Sequence, residues 1–523
     1  MKHNMTHACL RDVAAIFRKH GIDMPRDPRT ILRTERRANI DPEKNMVQFG
    51  LKKGILASLG DGPIPSTLKL QCSIDGLPLY KSSSVCFWPI LCRLTNVGDK
   101  TPFMVSLFCG KGKPPCLKSF LSPFLDELQE TTNAGIVYKG ALLDVVLPAV
   151  ICDAPARSFI KCIKDHAGYS SCERCTVRGR RFANRTIFTD LDCPTRNDHS
   201  FRTQQDSSHH LGESPFLSAD IDMVLGFPTE YMHLVCLGVV RKLLQTWVNR
   251  SGPHRLGPHQ RASLTTALEQ AADCFPSDFQ RKPRGVHELE RWKATEFRTF
   301  LLYVGPVVLR KLLPQREYEH FLTLHVAVRI LASPELSMRH SLYAQDLLRH
   351  FVDSYDDIYG PDQMIYNVHT LSHLAEECRV HGALDTFSAF PFESFLGKLK
   401  GMLRTTDRPL SQISRRLSEW SGIDRAPPVP RVPTVKVGSC YLLDKEVVVV
   451  EAVDESSFDT CTLRNKRDFY GTPLPSSKLQ VFRVDGKAPQ VRSWSLSHPP
   501  TSSQCVLLKY KSGSVAVPFL HLQ

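Results

Sequence analysis

The chain has 523 residues, with 67 Lys and Arg against 53 Asp and Glu, a formal net charge of +14 and a pI of about 9.0. That length exceeds what one hydrophobic core fills and points to about three domains. A hydrophobic fraction of 42% and a charged fraction of 23% are those of an ordinary globular protein, and the basic balance favours a polyanionic partner held through phosphate contacts.

No apolar run approaches the roughly 18 to 20 residues that span a bilayer, and the opening MKHNMTHACLRDVAAIF carries charge inside its apolar stretch, unlike a secretory signal. The 17 Cys therefore read as reduced thiols, some of them metal ligands, in cytosol or nucleus.

In chain order, residues 1–60 read as a helical and basic arm. Leu10, Val13, Ala14, Ile16 and Phe17 fall at helical spacing, followed by an Arg-rich stretch from Arg26 to Arg37. Leu68, Leu70, Cys72 and Ile74 alternate with polar residues as a half-buried strand does, and Asp75 ends it. Val85–Leu94 and Pro102–Cys109 are two more strands. Leu117, Phe120, Leu121, Phe124, Leu125 and Leu128 then mark a helix, and Leu142–Cys152 a buried strand with Asp153 just past its end. This order, with acids after the first and fourth strands, is the layout of a ribonuclease H-like α/β core, expected over 61–165.

Residues 166–380 read as a large, mostly helical insertion that includes Tyr231–Trp247, Glu296–Leu313 and Glu317–Leu331. Core completion follows over 381–425. There Glu393 begins a helix whose buried stripe is Phe392, Phe395, Leu396, Leu399, Met402 and Leu403, while Gly397, Lys400 and Arg404 share the face of Glu393. A stiff Pro-rich linker spans 426–434, and 435–523 read as a small β-rich C-terminal domain, a barrel or sandwich.

Three acids, Asp75, Asp153 and Glu393, each sit at the edge of an apolar run. Brought together, they can hold two divalent ions, the arrangement that stabilises both the attacking and the leaving oxygen of an in-line displacement at phosphorus. An isolated Asp at a strand end is more often a turn residue; the joint layout argues otherwise. Cys172 and Cys175 form a CxxC, and His369 and His373, four apart, share a helix face. Two Cys and two His satisfy a closed tetrahedral zinc site, which would tie the second and third acids into one frame. Arg178, Arg180, Arg181 and Arg185 cluster after the CxxC, and Lys398, Lys400 and Arg404 follow Glu393, with Arg408, Arg415 and Arg416 beyond. Both groups suit phosphates, or simply a solvated face. Glu230 and His233 open a helix that either approaches the acids or fills a core. No GxxxxGK[ST] or GxSxG motif supports an ATP-driven or serine-hydrolase chemistry.

Several ordered words carry a family resemblance: Pro25-Arg26-Asp27-Pro28-Arg29-Thr30-Ile31-Leu32; Asp75 through Ser83 with Phe87-Trp88-Pro89-Ile90; Asp153-Ala154-Pro155-Ala156-Arg157 with Cys172 and Cys175; Tyr231 through Gly238; and Pro391-Phe392-Glu393-Ser394-Phe395 with Leu399-Lys400-Gly401. Across most of residues 1–425 the chain resembles the transposases of CACTA (En/Spm-type) DNA transposons in their animal version. The resemblance implies a DDE-type transposase, cleaving and transferring DNA strands, with Asp75, Asp153 and Glu393 as its Mg²⁺- or Mn²⁺-binding acids. By the spacing found in the related V(D)J recombinase, it implies zinc on Cys172, Cys175, His369 and His373. One departure is Glu230, where the family usually carries Asp. The expected partners are double-stranded DNA (element ends and target), an accessory end-binding protein and further copies of the chain in the active state, in the nucleus and away from membranes. The alternative is a domesticated, catalytically inactive nuclear DNA-binding or interaction protein that keeps the fold.

Overall fold

The computed structural model describes residues 5–34, 40–80, 82–276, 279, 281–421, 435–495 and 502–520. The Pro-rich stretch 426–433, Lys81 and the end of the Arg-rich stretch lie outside the described residues. The fold is mixed α/β, with one mostly antiparallel sheet in each half of the chain and a helical mass between them. Among the described residues no helix is long and apolar enough to cross a membrane.

The arm expected over 1–60 divides in two. Helix α1 (His7–Lys19) is capped by Thr6, whose hydroxyl accepts from Cys9 N, and a short α2 (Pro28–Ile31) follows. Of the predicted apolar stripe only Ala14 is buried, while Ile16 and Phe17 are exposed. Strands β1 (Ile40–Asp41) and β2 (Met46–Gln48) and helix α3 (Leu51–Ser58) instead belong to the first sheet and its core, through Met46, Leu51 and Ile55. The sequence hides this because two short strands fall below the length at which alternation shows.

Strands β3 (Thr67–Ile74), β4 (Leu77–Pro78), β5 (Val85–Leu94), β6 (Phe103–Lys111), β7 (Ile136–Tyr138) and β8 (Ala141–Ile151) complete this sheet. Its order is β1-β2-β6-β5-β3-β8-β7, with β4 beside β5. Every pairing is antiparallel except that of β3 with β8. Helix α4 (Leu117–Ala134) crosses from β6 and buries Phe120, Leu121, Phe124, Leu125 and Leu128, the stripe its spacing predicts.

One register places the site. β3 and β8 run parallel with Ser73 opposite Ile151. Asp75 and Asp153 each lie two residues beyond that matched pair, so both leave the sheet at the same edge. Asp153 then caps helix α5 (Ala154–Lys161), accepting from Ala156 N at 2.7 Å.

The helical mass holds two stretches wound wider than an α-helix. Met232–Val240 and Phe300–Val304 are π-helical, inside segments whose spacing predicts plain α-helix. Both are buried nearly all round, so packing and not a polar face sets their winding. At Gly238 an added Cβ would lie 2.8 Å from the Asn367 amide and 2.9 Å from the His233 carbonyl; only glycine admits the close approach of the helix carrying Asn367.

The C-terminal sheet is antiparallel: β11 (Cys440–Leu443), β12 (Glu446–Val453), β13 (Ser457–Leu463), β14 (Arg467–Asp468), β15 (Phe482–Val484), β16 (Lys487–Ser495), β17 (Ser502–Tyr510) and β18 (Gly513–Pro518), in the order β14-β15-β18-β17-β11-β12-β13-β16. The sequence suggests a separate unit here, yet one face of this sheet shares the largest core. Phe469, Tyr470, Val506, Val517 and Phe519 cluster with Tyr303, Phe321 and Leu324. Arg329 donates to the Pro518 carbonyl at 2.8 Å, and His325 bonds the Tyr470 hydroxyl at 3.0 Å.

Candidate metal centre

Two of the three predicted acids meet, and the third lies beside them. One carboxylate oxygen from each of Asp75 and Asp153 and one ring nitrogen of His233 lie within 4.8 Å of one another, a grouping able to hold a metal ion. Glu393 lies beside them, near enough for its carboxyl to act on that of Asp75, though outside that grouping of ligand atoms. All four side chains are half-buried. Burial first, then the neighbouring Asp153 and Glu393, pushes the Asp75 carboxyl well above the usual carboxylate range. Burial likewise raises Glu393, against the opposing pull of His233. Like charges gathered in a desolvated niche favour either a proton or a cation.

Glu393 is held at the sheet edge by five contacts. Its helix, Phe390–Gly401, follows a turn whose Thr386 carbonyl accepts from Gln71 Nε2 at 2.8 Å and Arg93 Nη2 at 3.0 Å. Arg93 is buried in β5, stacks over Phe392 at 5.2 Å and also donates twice to Gln71 Oε1. At the far end, Lys400 Nζ donates to the Pro78 carbonyl at 2.8 Å, and the Tyr80 hydroxyl to the Thr405 carbonyl at 3.3 Å. Lys400, expected at phosphate, thus already holds the segment after Asp75. The helix stops at Gly401, so Arg404, expected on the face of Glu393, lies beyond it; Arg404 and Lys398 are both exposed.

Glu230 and His233 form the least expected part of the site. Glu230 is buried and accepts from Met232 N (2.6 Å), His233 N (2.9 Å), His233 Nδ1 (2.7 Å) and Ala389 N (2.8 Å). Ala389 caps the helix of Glu393, so one carboxylate fastens the His233 helix to the third acid. Burial opposes charge on His233, but Glu230, then Asp75 and Asp153, outweigh it and hold the imidazole up at about 9. With Nδ1 engaged, Nε2 is the ring nitrogen left to face the acids.

The Cys and His pairs also converge. Cys172 Sγ and Cys175 Sγ are 3.5 Å apart, Cys175 Sγ is 3.3 Å from His369 Nε2, and Cys172 Sγ is 3.6 Å from His373 Nε2. Such edges suit a tetrahedron with bonds of about 2.0 to 2.3 Å, and the two-sulfur, two-nitrogen donor set suits a borderline-soft ion. The two residues between the cysteines brace the acids. Glu173 accepts from Arg157 Nε and Lys161 Nζ, each at 2.6 Å, on the helix that Asp153 caps. Arg174 donates at 2.7 Å to Glu377, which in turn accepts from the Thr229 amide (2.9 Å) and hydroxyl (2.6 Å), next to Glu230. The spacing of Cys172 and Cys175 reveals the ligands but not this network, whose partners lie up to 203 positions apart.

The basic clusters part company. Arg178, Arg180, Arg181 and Arg185 are exposed on and before the hairpin β9 (Arg180–Phe182) and β10 (Arg185–Ile187) and make no ion pair among the described residues. Arg416 is turned inward to Glu419 at 3.1 Å and to His7, while Arg408 and Arg415 stay exposed.

Neither the models of known protein families nor the curated proteins match this chain.

Proposed function

We propose that this chain is a DDE-type DNA transposase on a ribonuclease H-like core, cleaving a phosphodiester and passing the freed 3′ end to target DNA, as its resemblance to CACTA transposases implies. The observation that carries the reading is the meeting of Asp75 and Asp153 at one edge of the sheet, with Glu393 beside them, from three distant parts of the chain. The strand order β6-β5-β3-β8, with β3 and β8 the parallel pair, supports it. That arrangement sets two acids side by side, as such a core requires.

Hard carboxylate oxygens suit Mg²⁺ or Mn²⁺. When bound, a pair of these ions supplies charge stabilisation to both the entering and the departing oxygen. Asp75 and Asp153 would hold them, with Glu393 closing the third side. Glu230 fixes the ring of His233 at the same niche. Exposed Arg178, Arg180, Arg181, Lys398 and Arg404 meet the phosphates on either flank, so binding should weaken steeply with salt. Zinc fits the Cys172, Cys175, His369 and His373 set as a structural ion, since all four positions are filled by protein. Nuclear location, an oligomeric active form and an accessory end-binding protein belong to this reading.

The test is nicking of supercoiled plasmid by the full chain with Mg²⁺ or Mn²⁺. Asp75→Ala and Asp153→Ala should abolish it while DNA affinity stays within about twofold of wild type, because these acids face cations and not the phosphate-binding surface. Nicking that survives in Asp75→Ala sinks the assignment. Binding without any nicking in the wild type favours the inactive, domesticated alternative.

A further inference from the structure

A cavity of about 180 Å³ opens beside the acids, lined on the near side by Asp153, Pro155 and His233 and on the far side by His166, Tyr366 and Asn367. A second cavity, of about 290 Å³, shares His166, Tyr366 and Asn367 and runs on to Arg181 and Arg185 of the β9–β10 hairpin. The two make one groove from the carboxylates to the exposed cations. The chemistry at the acids leaves this groove without an occupant.

Its lining constrains what fits. The hairpin end is cationic, with Arg181 and Arg185 exposed and outside any ion pair among the described residues. The middle offers ring faces: His166 is exposed and stands edge-on to Tyr366, centroids 6.2 Å apart. Tyr366 is a fixed wall, because its hydroxyl lies 3.4 Å from both Glu173 Oε1 and Arg157 Nη2. The Asn367 side chain supplies an amide edge with both a donor and an acceptor. Negative charge at one end, a flat aromatic-compatible group in the middle and polar edges together describe a single nucleic-acid strand. A paired duplex keeps its bases inside and has nothing flat to insert unless a nucleotide first leaves the stack.

We propose that this groove holds the unpaired strand next to the phosphodiester at Asp153. The nearest base lies against His166 and Tyr366, and the following phosphates lie on Arg181 and Arg185. The inference rests on the phosphodiester reading of the acid site and adds a substrate class to it: DNA that is unpaired beside the bond to be cut.

The test uses the full chain without added Mg²⁺ or Mn²⁺, so that only binding is read. Two labelled DNAs are compared, a fully paired duplex and the same duplex with a short unpaired tract carrying 2-aminopurine. The wild type should bind the second about tenfold more tightly, the scale of one or two stacked bases, and 2-aminopurine fluorescence should fall on binding. The double variant His166→Ala/Arg185→Ala alters only exposed side chains and should fold as the wild type does. It should lose the preference and the quenching while keeping its affinity for paired duplex within about threefold. Equal wild-type affinity for the two DNAs overturns the proposal. So does an equal loss on both DNAs in the variant, since Arg185 would then be a general phosphate contact. Either failure leaves plasmid nicking by the acids untouched; a chain that shows the preference yet never nicks keeps the groove and loses the catalytic reading.

Discussion

Glu230 shows how far one side chain can organise this site. Its carboxylate takes four N–H donors, the furthest of them 159 positions away along the chain. Glu230→Ala would leave the Ala389 and Met232 amides without an acceptor in a buried setting and His233 without its partner. Loss of one member of a buried charged network costs about 3 to 5 kcal/mol, so a drop of that size is expected in denaturant titrations, with Glu230→Gln falling between. Little of this is legible in the sequence, where Glu230 is only an acid before Tyr231-Met232-His233. Asp75, Asp153, Glu393, Cys172, Cys175, His369 and His373 are easier to pick out. Metal chemistry restricts the residue type at each position, whereas a bracing carboxylate is defined only by what folds against it.

At the scale of elements, periodicity serves strands and long helices well. β5 has the predicted bounds, and β3, β8 and the helix Gln315–Ala332 differ from theirs by a few residues at most. It fails where packing sets the winding, as in Met232–Val240, and where strands are two or three residues long, as in β1 and β2. The CxxC loop is the element on which the site leans most, because it touches α5 through Glu173 and the segment before Glu230 through Arg174. Two results should follow. Zinc analysis of the purified chain should give one ion per molecule, and Cys172→Ser should lower both that content and the melting temperature. Glu173→Gln should keep the zinc but destabilise the fold by about 3 to 5 kcal/mol, since Arg157 and Lys161 would then be buried cations lacking their shared counter-charge. A variant that loses zinc yet melts like the wild type would show that the loop is braced without the ion.

Across the whole molecule, the C-terminal sheet and the helical mass share one core, so removing residues 435–523 should not release a stable fragment. It would strand Arg329, His325 and the apolar faces of Tyr303 and Phe321 in water; poor solubility and a lowered melting temperature are the expected results. The strand-rich composition of 435–523 is legible in the sequence, but its union with the helices is not, because an apolar face does not name its partner. Three buried histidines weaken the fold in acid. Burial holds His209 and His320 down at about 4 and His325 at about 3, from an ordinary 6.5. The unfolded chain takes up these protons first, so the three histidines' share of stability is full above about 6.5 and is lost as the pH drops from there through about 4 and about 3. Over the full fall each histidine contributes on the order of 3 to 5 kcal/mol. Melting curves from pH 7.5 to pH 4.5 would check this, and a flat profile would contradict it.

The bond from Gln71 to the Thr386 carbonyl closes a loop of 315 positions. A ribosome working at about 5 to 20 residues per second needs roughly 15 to 60 s to make that stretch. During synthesis the first sheet must therefore wait with Gln71 and Arg93 lacking their final acceptor and Asp75 and Asp153 lacking Glu393. A nascent or prematurely ended chain carries an incomplete acid set, so the full set is assembled only after the last third of the protein has docked. The long separation acts as a timer on assembly.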